Sequence, residues 1–191
     1  MGNDFGTLPE GLIEPVNDAA ADHLRGFRLP SIKLQSTNGA LISLAELSGR
    51  AVIYIYPMTG VPGKKLPDGW DEIPGARGCT PQSCSFRDHY QEIKQAGVSS
   101  LFGLSTQDTP YQQEAAERLH LPFSLLSDER LELGSLLRLP TFEAGGKTLY
   151  KRLTLVIDQG AITYLFYPVF PPDQSAVVTL AWLRDNPAIS T

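Results

Sequence analysis

The sequence predicts an α/β protein with a mixed central sheet that carries helices on both faces. Strand-like and helical patterns alternate in the order β-α-β-α-β-β-α, and the last two strand patterns flank a short turn at Gln159-Gly160. Strands separated by helices pair in parallel, whereas strands joined by a tight turn pair antiparallel, so the sheet is mixed. With 191 residues, of which 42% are hydrophobic, the chain is long enough for one domain with extensions.

The first elements precede the main alternation. We divide the chain into three parts, which are an N-terminal extension (residues 1–28), a main domain (residues 29–186) and a tail (residues 187–191). The extension is predicted to contain a helix over residues 14–25. A small N-terminal β-hairpin follows, in which residues 31–35 and 40–43 flank Ser-Thr-Asn-Gly. Asn-Gly is typical of tight hairpin turns, and a short helix is expected near residues 44–47.

The central strand is predicted at residues 51–56, which read Ala-Val-Ile-Tyr-Ile-Tyr and are followed by Pro57. A continuous β-branched and aromatic run is typical of a strand that is buried on both faces. The Gly- and Pro-rich connection that follows, residues 58–78, is longer than most loops within a compact domain. Loops of this length usually have a function or are disordered, so we treat this one as an inserted loop.

The remaining elements follow from hydrophobic periodicity and from turn residues. They are a helix at 83–96, a strand at 99–105, a helix at 110–119, a strand at 123–126, a helical segment at 129–136, a hairpin of strands at 151–158 and 161–167, and a helix at 175–184.

The two cysteines of the chain, Cys79 and Cys84, are separated by four residues at the predicted start of a helix. Thr80 is expected to be the N-cap, with Pro81 at the first helical position. Cys79 then lies at the positive end of the helix, where free N–H groups and the macrodipole favour a thiolate over a thiol. The arrangement indicates redox chemistry with Cys79 as a nucleophile.

Three other interpretations of the cysteine pair compete with this one. A zinc site is not favoured, because it usually needs four ligands and the three histidines, His23, His89 and His120, show no paired spacing with the thiols. A structural disulfide would close a very short loop in a chain that needs no such constraint. Two unrelated buried cysteines are the commonest case, yet a polar turn with proline is a poor place for burial. We expect no metal and no cofactor.

Charge and hydropathy exclude several classes of partner. The formal net charge of −5 argues against sequence-independent binding of nucleic acid and against an anionic membrane surface. No apolar run reaches the roughly 20 residues that a membrane span requires. Residues 1–18 lack the basic segment and the apolar segment of a signal peptide. We therefore expect a cytoplasmic protein without a nucleic-acid or membrane partner.

The sequence around the cysteines reads Gly-Cys-Thr-Pro-Gln-Ser-Cys-Ser-Phe-Arg-Asp over residues 78–88 and follows a strand that ends in Tyr-Pro. This motif resembles that of the Q-type peroxiredoxins, the group similar to bacterioferritin comigratory protein. Further similar motifs are Gly-Leu-Ser-Thr-Gln-Asp at 103–108, Leu-Leu-Ser-Asp at 125–128 and Arg-Leu-Thr-Leu-Val-Ile-Asp at 152–158. The resemblance covers roughly residues 29–182 and implies a thioredoxin-like fold and a thiol peroxidase.

The resemblance implies a role for each matching residue. Cys79 corresponds to the peroxidatic cysteine, which a hydroperoxide oxidises to a sulfenic acid, and Cys84 corresponds to the resolving cysteine, which forms a disulfide with it. Arg152 corresponds to the arginine that holds the thiolate and stabilises the departing oxygen, and Pro57 to the proline that shields the site from water. Without the motif, Arg152 would be interpreted as an exposed arginine at a strand edge.

The resemblance also implies partners. The substrates are hydrogen peroxide and organic hydroperoxides, the reductant is thioredoxin or a similar dithiol, and the protein is a monomer or a weak homodimer. The alternative is a non-catalytic redox sensor that signals through the same disulfide. A disulfide oxidoreductase fits less well, because such enzymes place two residues between their cysteines.

One position departs from the family's pattern Pro-x-x-x-Thr-x-x-Cys. Ala76 stands three residues before Cys79, where the family has threonine. Thr59, two residues after Pro57, is the first candidate for the missing hydroxyl, provided that residues 60–74 bulge outward. Thr80 is the second candidate.

Overall fold

The computed structural model describes residues 5–188. Residues 1–4 of the predicted extension and residues 189–191 of the predicted tail lie outside the described part of the chain. The strands are β1 (Leu34–Ser36), β2 (Leu41–Ile42), β3 (Arg50–Ile55), β4 (Val98–Ser105), β5 (Leu125–Ser127), β6 (Thr141–Ala144), β7 (Lys147–Tyr150), β8 (Leu153–Asp158) and β9 (Ala161–Phe166). The helices are α1 (Cys79–Asp88), α2 (Tyr90–Gln95), α3 (Thr109–Arg118), α4 (Glu132–Leu137) and α5 (Ser175–Asp185).

Seven strands form one mixed sheet in the order β2-β1-β5-β4-β3-β8-β9. Strand β3 lies between two long partners, since it pairs in parallel with β4 and antiparallel with β8. All six of its residues are buried, as expected for a central strand. The predicted mixed sheet and the N-terminal hairpin of β1 and β2 are confirmed.

The two faces of β3 pack into separate hydrophobic clusters. Ile53 belongs to a cluster that includes Leu133 of α4. Tyr54, which points to the opposite face, belongs to a second cluster with Phe86 of α1 and Leu180 of α5. Helices therefore cover both faces of the sheet, as predicted.

In the described part of the chain, no helix is both long enough and apolar enough to span a membrane.

The predicted helix over residues 14–25 is wrong, because the structure has only a 3₁₀ turn there, at Asp22–Leu24. Asn17 Oδ1 accepts a hydrogen bond from the N–H of Ala19, and Asp18 Oδ1 accepts one from the N–H of Ala20. Such local side-chain bonds compete with helix formation. Residues 14–20 consequently have no regular structure, and the chain then enters the core at Ala21 and Leu24, which are both fully buried.

The predicted N-cap, Thr80, is also wrong, because α1 begins at Cys79 and its N-cap is Gly78. Gly78 has a φ angle of 105°, a left-handed conformation that favours glycine. A Cβ atom at this position would lie 2.3 Å from Cγ of Pro172, so the chain has no room for a side chain. The helix therefore starts two residues before Pro81, which was expected at its first position.

The other predicted strands and helices are confirmed, with ends that differ by no more than three residues, except that the helix over 83–96 begins four residues earlier, at Cys79, and is interrupted. It is interrupted at His89, whose ring Nδ1 and backbone N–H both hydrogen-bond to the carbonyl oxygen of Ser85. The hairpin of β6 and β7 was not predicted. Its turn, Gly145-Gly146, has φ angles of 57° and 71°, and two such glycines between strands are a recognisable hairpin signal.

The inserted loop, residues 58–78, packs against this unpredicted hairpin. Trp70 and Ala76 of the loop form a small hydrophobic cluster with Ala144 and Leu149 of the hairpin. The loop is therefore folded onto the domain, and its last residues lead directly into α1.

Candidate active site

Cys79 is the first residue of α1 and follows the inserted loop. Its side chain is buried, with 3% of its surface exposed, and it packs in the cluster that contains Tyr54 and Phe86. The first N–H groups of a helix have no partner within the helix, and this end carries a partial positive charge. The fold therefore places a sulfur atom where negative charge is favoured.

Arg152 lies between β7 and β8, and its guanidinium contacts this sulfur. Nη2 of Arg152 donates a hydrogen bond to Sγ of Cys79 at 3.2 Å. Nη2 also lies 3.2 Å from the carbonyl oxygens of Gly75, Ala76 and Arg77. One side chain thus holds both the cysteine and the three residues that precede Gly78.

The Arg152 guanidinium is buried, with 3% of the residue exposed. Within residues 5–188, no carboxylate forms an ion pair with Arg152. A buried cation is costly unless a negative charge lies nearby, and Sγ of Cys79 is the group in contact that can carry one. The expectation of an exposed arginine at a strand edge, which we set against the motif, is therefore wrong.

Gln82 is a member of the site to which the sequence analysis assigned no role. Its Oε1 accepts a hydrogen bond from Nη1 of Arg152, and its Nε2 donates one to Oγ of Ser175 at 3.2 Å. Gln82 is fully buried one turn after Cys79. Gln82 connects the arginine to α5. Its position in the motif, between the two cysteines, could have identified it from the sequence.

Cys84 lies in the same helix and is half-buried, and both cysteines are free thiols. Burial raises the pKa of the Cys84 thiol above its usual value of 9.0, and the nearby charge of Arg87 offsets this only in part. Cys84 therefore stays protonated near neutral pH.

Thr59 and Pro57 are both buried beyond the end of β3. Oγ1 of Thr59 donates to Oε1 of Gln107 at 3.2 Å, whereas the contacts of the Cys79 sulfur are with Arg152 and with the carbonyl oxygen of Ala76 at 3.6 Å. The geometry brings Cys79 and Arg152 together and directs the Thr59 hydroxyl elsewhere.

The second hydroxyl candidate, Thr80, is buried next to Cys79. Its Oγ1 has no hydrogen-bond partner among residues 5–188.

Over the same residues, no group of three or more histidine, cysteine, aspartate or glutamate side chains is placed to hold a metal ion.

The chain is similar to known proteins in both sequence and structure. The family model described as Redoxin matches residues 24–180. The peroxiredoxin Q, chloroplastic, of Oryza sativa subsp. japonica is 33% identical over 162 residues, which are 84% of this chain and 66% of that protein. The chain thus spans about two thirds of the length of that relative.

Two solved structures are also similar. Peroxidoxin BcpB from Mycobacterium tuberculosis has a TM-score of 0.67 at 26% identity, and the match covers 87% of this chain and 98% of that one. The bacterioferritin comigratory protein of Xanthomonas campestris, whose structure concerns its alkyl peroxide reduction activity, has a TM-score of 0.62 at 20% identity. That match covers 91% of this chain and 98% of the other.

Proposed function

Since this chain belongs to the redoxin family and is a peroxiredoxin of Q type with a thioredoxin-like fold, we propose that it is a thiol peroxidase. It reduces hydrogen peroxide and organic hydroperoxides. The observation that carries the proposal is the 3.2 Å contact between Nη2 of Arg152 and Sγ of Cys79 at the start of α1. A thiolate at such a position is a soft nucleophile for a weak O–O bond.

In the first step, the Cys79 thiolate attacks the terminal oxygen of the hydroperoxide. An S–O bond forms, the O–O bond breaks, and its electron pair leaves with the other oxygen, which takes up a proton to give water or an alcohol. Cys79 becomes a sulfenic acid and is oxidised by two electrons. Arg152 donates hydrogen bonds to the oxygen on which charge develops, so it stabilises the transition state, while buried Pro57 helps to keep water out.

In the second step, Cys84 attacks the sulfenic acid, a disulfide forms, and water leaves. Both cysteines belong to the single helix Cys79–Asp88. In a regular helix, residues five apart have Cα atoms roughly 8–9 Å from each other. A disulfide needs this distance to be below about 7 Å. The first turns of α1 must therefore open before Cys84 can reach Cys79.

In the third step, thioredoxin or a similar dithiol protein reduces the disulfide. One thiolate of the donor attacks it, the second closes the donor's own disulfide, and the two cysteines return to thiols. We also propose that the protein acts as a monomer or weak homodimer in the cytoplasm.

Peroxide consumption coupled to thioredoxin and its reductase tests the proposal. We expect many turnovers per protein for the wild type and none for Cys79→Ser. A redox sensor would instead consume about one equivalent of peroxide even with excess reductant. A single turnover would therefore refute the peroxidase proposal and favour the redox sensor.

A further inference from the structure

A buried network of hydrogen bonds connects Arg152 to the first residue of α5. Nη1 of Arg152 donates to Oε1 of Gln82, and Nε2 of Gln82 donates to Oγ of Ser175 at 3.2 Å. Oγ of Ser175 in turn lies 3.4 Å from Oγ1 of Thr154, within hydrogen-bond distance. Gln82, Ser175 and Thr154 are each no more than 5% exposed. The network thus joins α1, α5 and β8 in a part of the protein that is shielded from water.

The network returns to the segment that carries the arginine. Thr154 belongs to β8 and follows Arg152 by two positions. Alternate residues of an extended chain point to the same side, so both side chains face the two helices. The position of the Arg152 guanidinium therefore depends, through Gln82, on a hydroxyl that α5 supplies.

Ser175 determines which end of the Gln82 amide faces Arg152. A guanidinium only donates hydrogen bonds, so it must meet the amide oxygen, whereas the amide nitrogen needs an acceptor. Oγ of Ser175 is that acceptor. Because the amide is neutral, it holds the guanidinium without pairing with its charge. That charge remains available to Sγ of Cys79, which lies 3.2 Å from Nη2.

Loss of the Ser175 hydroxyl would leave a buried N–H donor of Gln82 without its acceptor. An unsatisfied buried donor costs more than the net contribution of one hydrogen bond, so the amide would turn toward another acceptor. Oε1 of Gln82 would then no longer fix Nη1 of Arg152. A guanidinium that is not held in place stabilises the charge of the transition state less well.

We propose that Ser175 is a positioning residue for the peroxide step, and that it holds the Arg152 guanidinium against Cys79 by orienting Gln82. The proposal rests on the proposed peroxidase function. It adds to the site a residue from outside the cysteine motif, which acts through its neighbours on the donor that stabilises the departing oxygen.

Ser175→Ala removes the acceptor, and Thr179→Val is its matched control. Thr179 is also buried in α5, but its hydroxyl donates to the backbone carbonyl oxygen of Ser175, at 2.7 Å. Each variant loses one buried hydrogen bond, so both should melt at a lower temperature than the wild type. In stopped-flow experiments, hydrogen peroxide should oxidise Cys79 about fivefold more slowly in Ser175→Ala and at the wild-type rate in Thr179→Val.

A double-mutant cycle separates positioning from a general loss of structure. In an Arg152→Gln background, Ser175→Ala should slow oxidation no further, because its effect passes through the arginine. Equal slowing by Ser175→Ala in both backgrounds overturns the proposal while the peroxidase function stands. Oxidation of the single variant Ser175→Ala at the wild-type rate overturns it as well.

Alkylation gives a readout that does not need peroxide. In a Cys84→Ser background, the pH profile of the reaction of Cys79 with iodoacetamide reports the thiolate. We expect Ser175→Ala to shift this profile to higher pH and Thr179→Val to leave it unchanged. If hydrogen peroxide oxidises wild-type Cys79 no faster than an ordinary thiol, the proposed function fails, and the profiles alone decide. A shift in Ser175→Ala alone then still supports the positioning role, whereas a shift in both variants or in neither overturns it.

Discussion

Thr59 and Gln107 hold each other through three hydrogen bonds. The N–H and the hydroxyl of Thr59 donate to Oε1 of Gln107 at 3.0 and 3.2 Å, and Nε2 of Gln107 donates to the Thr59 carbonyl oxygen at 3.3 Å. The hydroxyl of Tyr111 donates to the same carbonyl at 3.0 Å. These bonds fasten the start of the inserted loop to the segment between β4 and α3.

We expect Thr59→Val to lower stability and to leave peroxide chemistry nearly unchanged. The substitution removes one buried hydrogen bond, whose net contribution is about 1 kcal/mol. Denaturant unfolding measures the loss, and stopped-flow oxidation of Cys79 should change by less than about threefold, because a donor to the transition state contributes far more. A drop of about a hundredfold would instead assign the family's missing hydroxyl to Thr59.

Arg152→Gln should leave a folded protein in which peroxide oxidises Cys79 about a hundredfold more slowly, because the lost donor acts mainly in the transition state. The melting temperature should also fall, since three carbonyl oxygens lose their shared donor. Arg130→Gln, at an exposed arginine, is the control and should change neither quantity. Equal oxidation rates in Arg152→Gln and the wild type would remove Arg152 from the site.

Cys84→Ser should be oxidised once and then remain a sulfenic acid, whereas Cys79→Ser should not react with peroxide. Burial keeps the pKa of Cys84 raised, so this thiol is a poor nucleophile until α1 opens. Trapping with dimedone after one equivalent of peroxide, followed by peptide mass spectrometry, identifies the oxidised residue. Preferential labelling of Cys84 in the wild type would reverse the assignment.

Formation of the Cys79–Cys84 disulfide should unwind the first turns of α1. Hydrogen exchange of reduced and oxidised samples provides the measurement. Protection of the amides of residues 83–87 should fall on oxidation, while the amides of β3 and β4 serve as internal controls and stay unchanged. Identical exchange in both states, with the disulfide present, would show that the required motion is confined to Cys79.

Local patterns predicted most of the sheet, because the residues of a strand such as β3 indicate by themselves that the strand is buried. The path of residues 14–25 depends only in part on local bonds from Asn17 and Asp18, since Asp18 is also held by Lys151 and Tyr167 from distant parts of the chain. The same holds for the start of α1, which Pro172 helps to determine by packing on Gly78. Such contacts between distant residues cannot be predicted from the local sequence.

The same distinction between local and distant contacts applies to the site. Cys79 and Arg152 are 73 residues apart, and only the family motif pointed to their contact. The hydrogen bonding of the Thr59 hydroxyl depends on Gln107, which lies beyond β4. The roles of these residues stay predictions until the variants are measured.

Packing of the inserted loop against the hairpin has a consequence for proteolysis. A long Gly- and Pro-rich connection is ordinarily a preferred site of cleavage. Here burial of Trp70 and Ala76 protects the second half of the loop, while Lys64 and Lys65 remain exposed. Limited trypsin digestion should therefore cut after these lysines and spare Arg77, whose side chain is only 13% exposed. The nicked chain should stay assembled, because both fragments are held by the same sheet and by the cluster around Trp70.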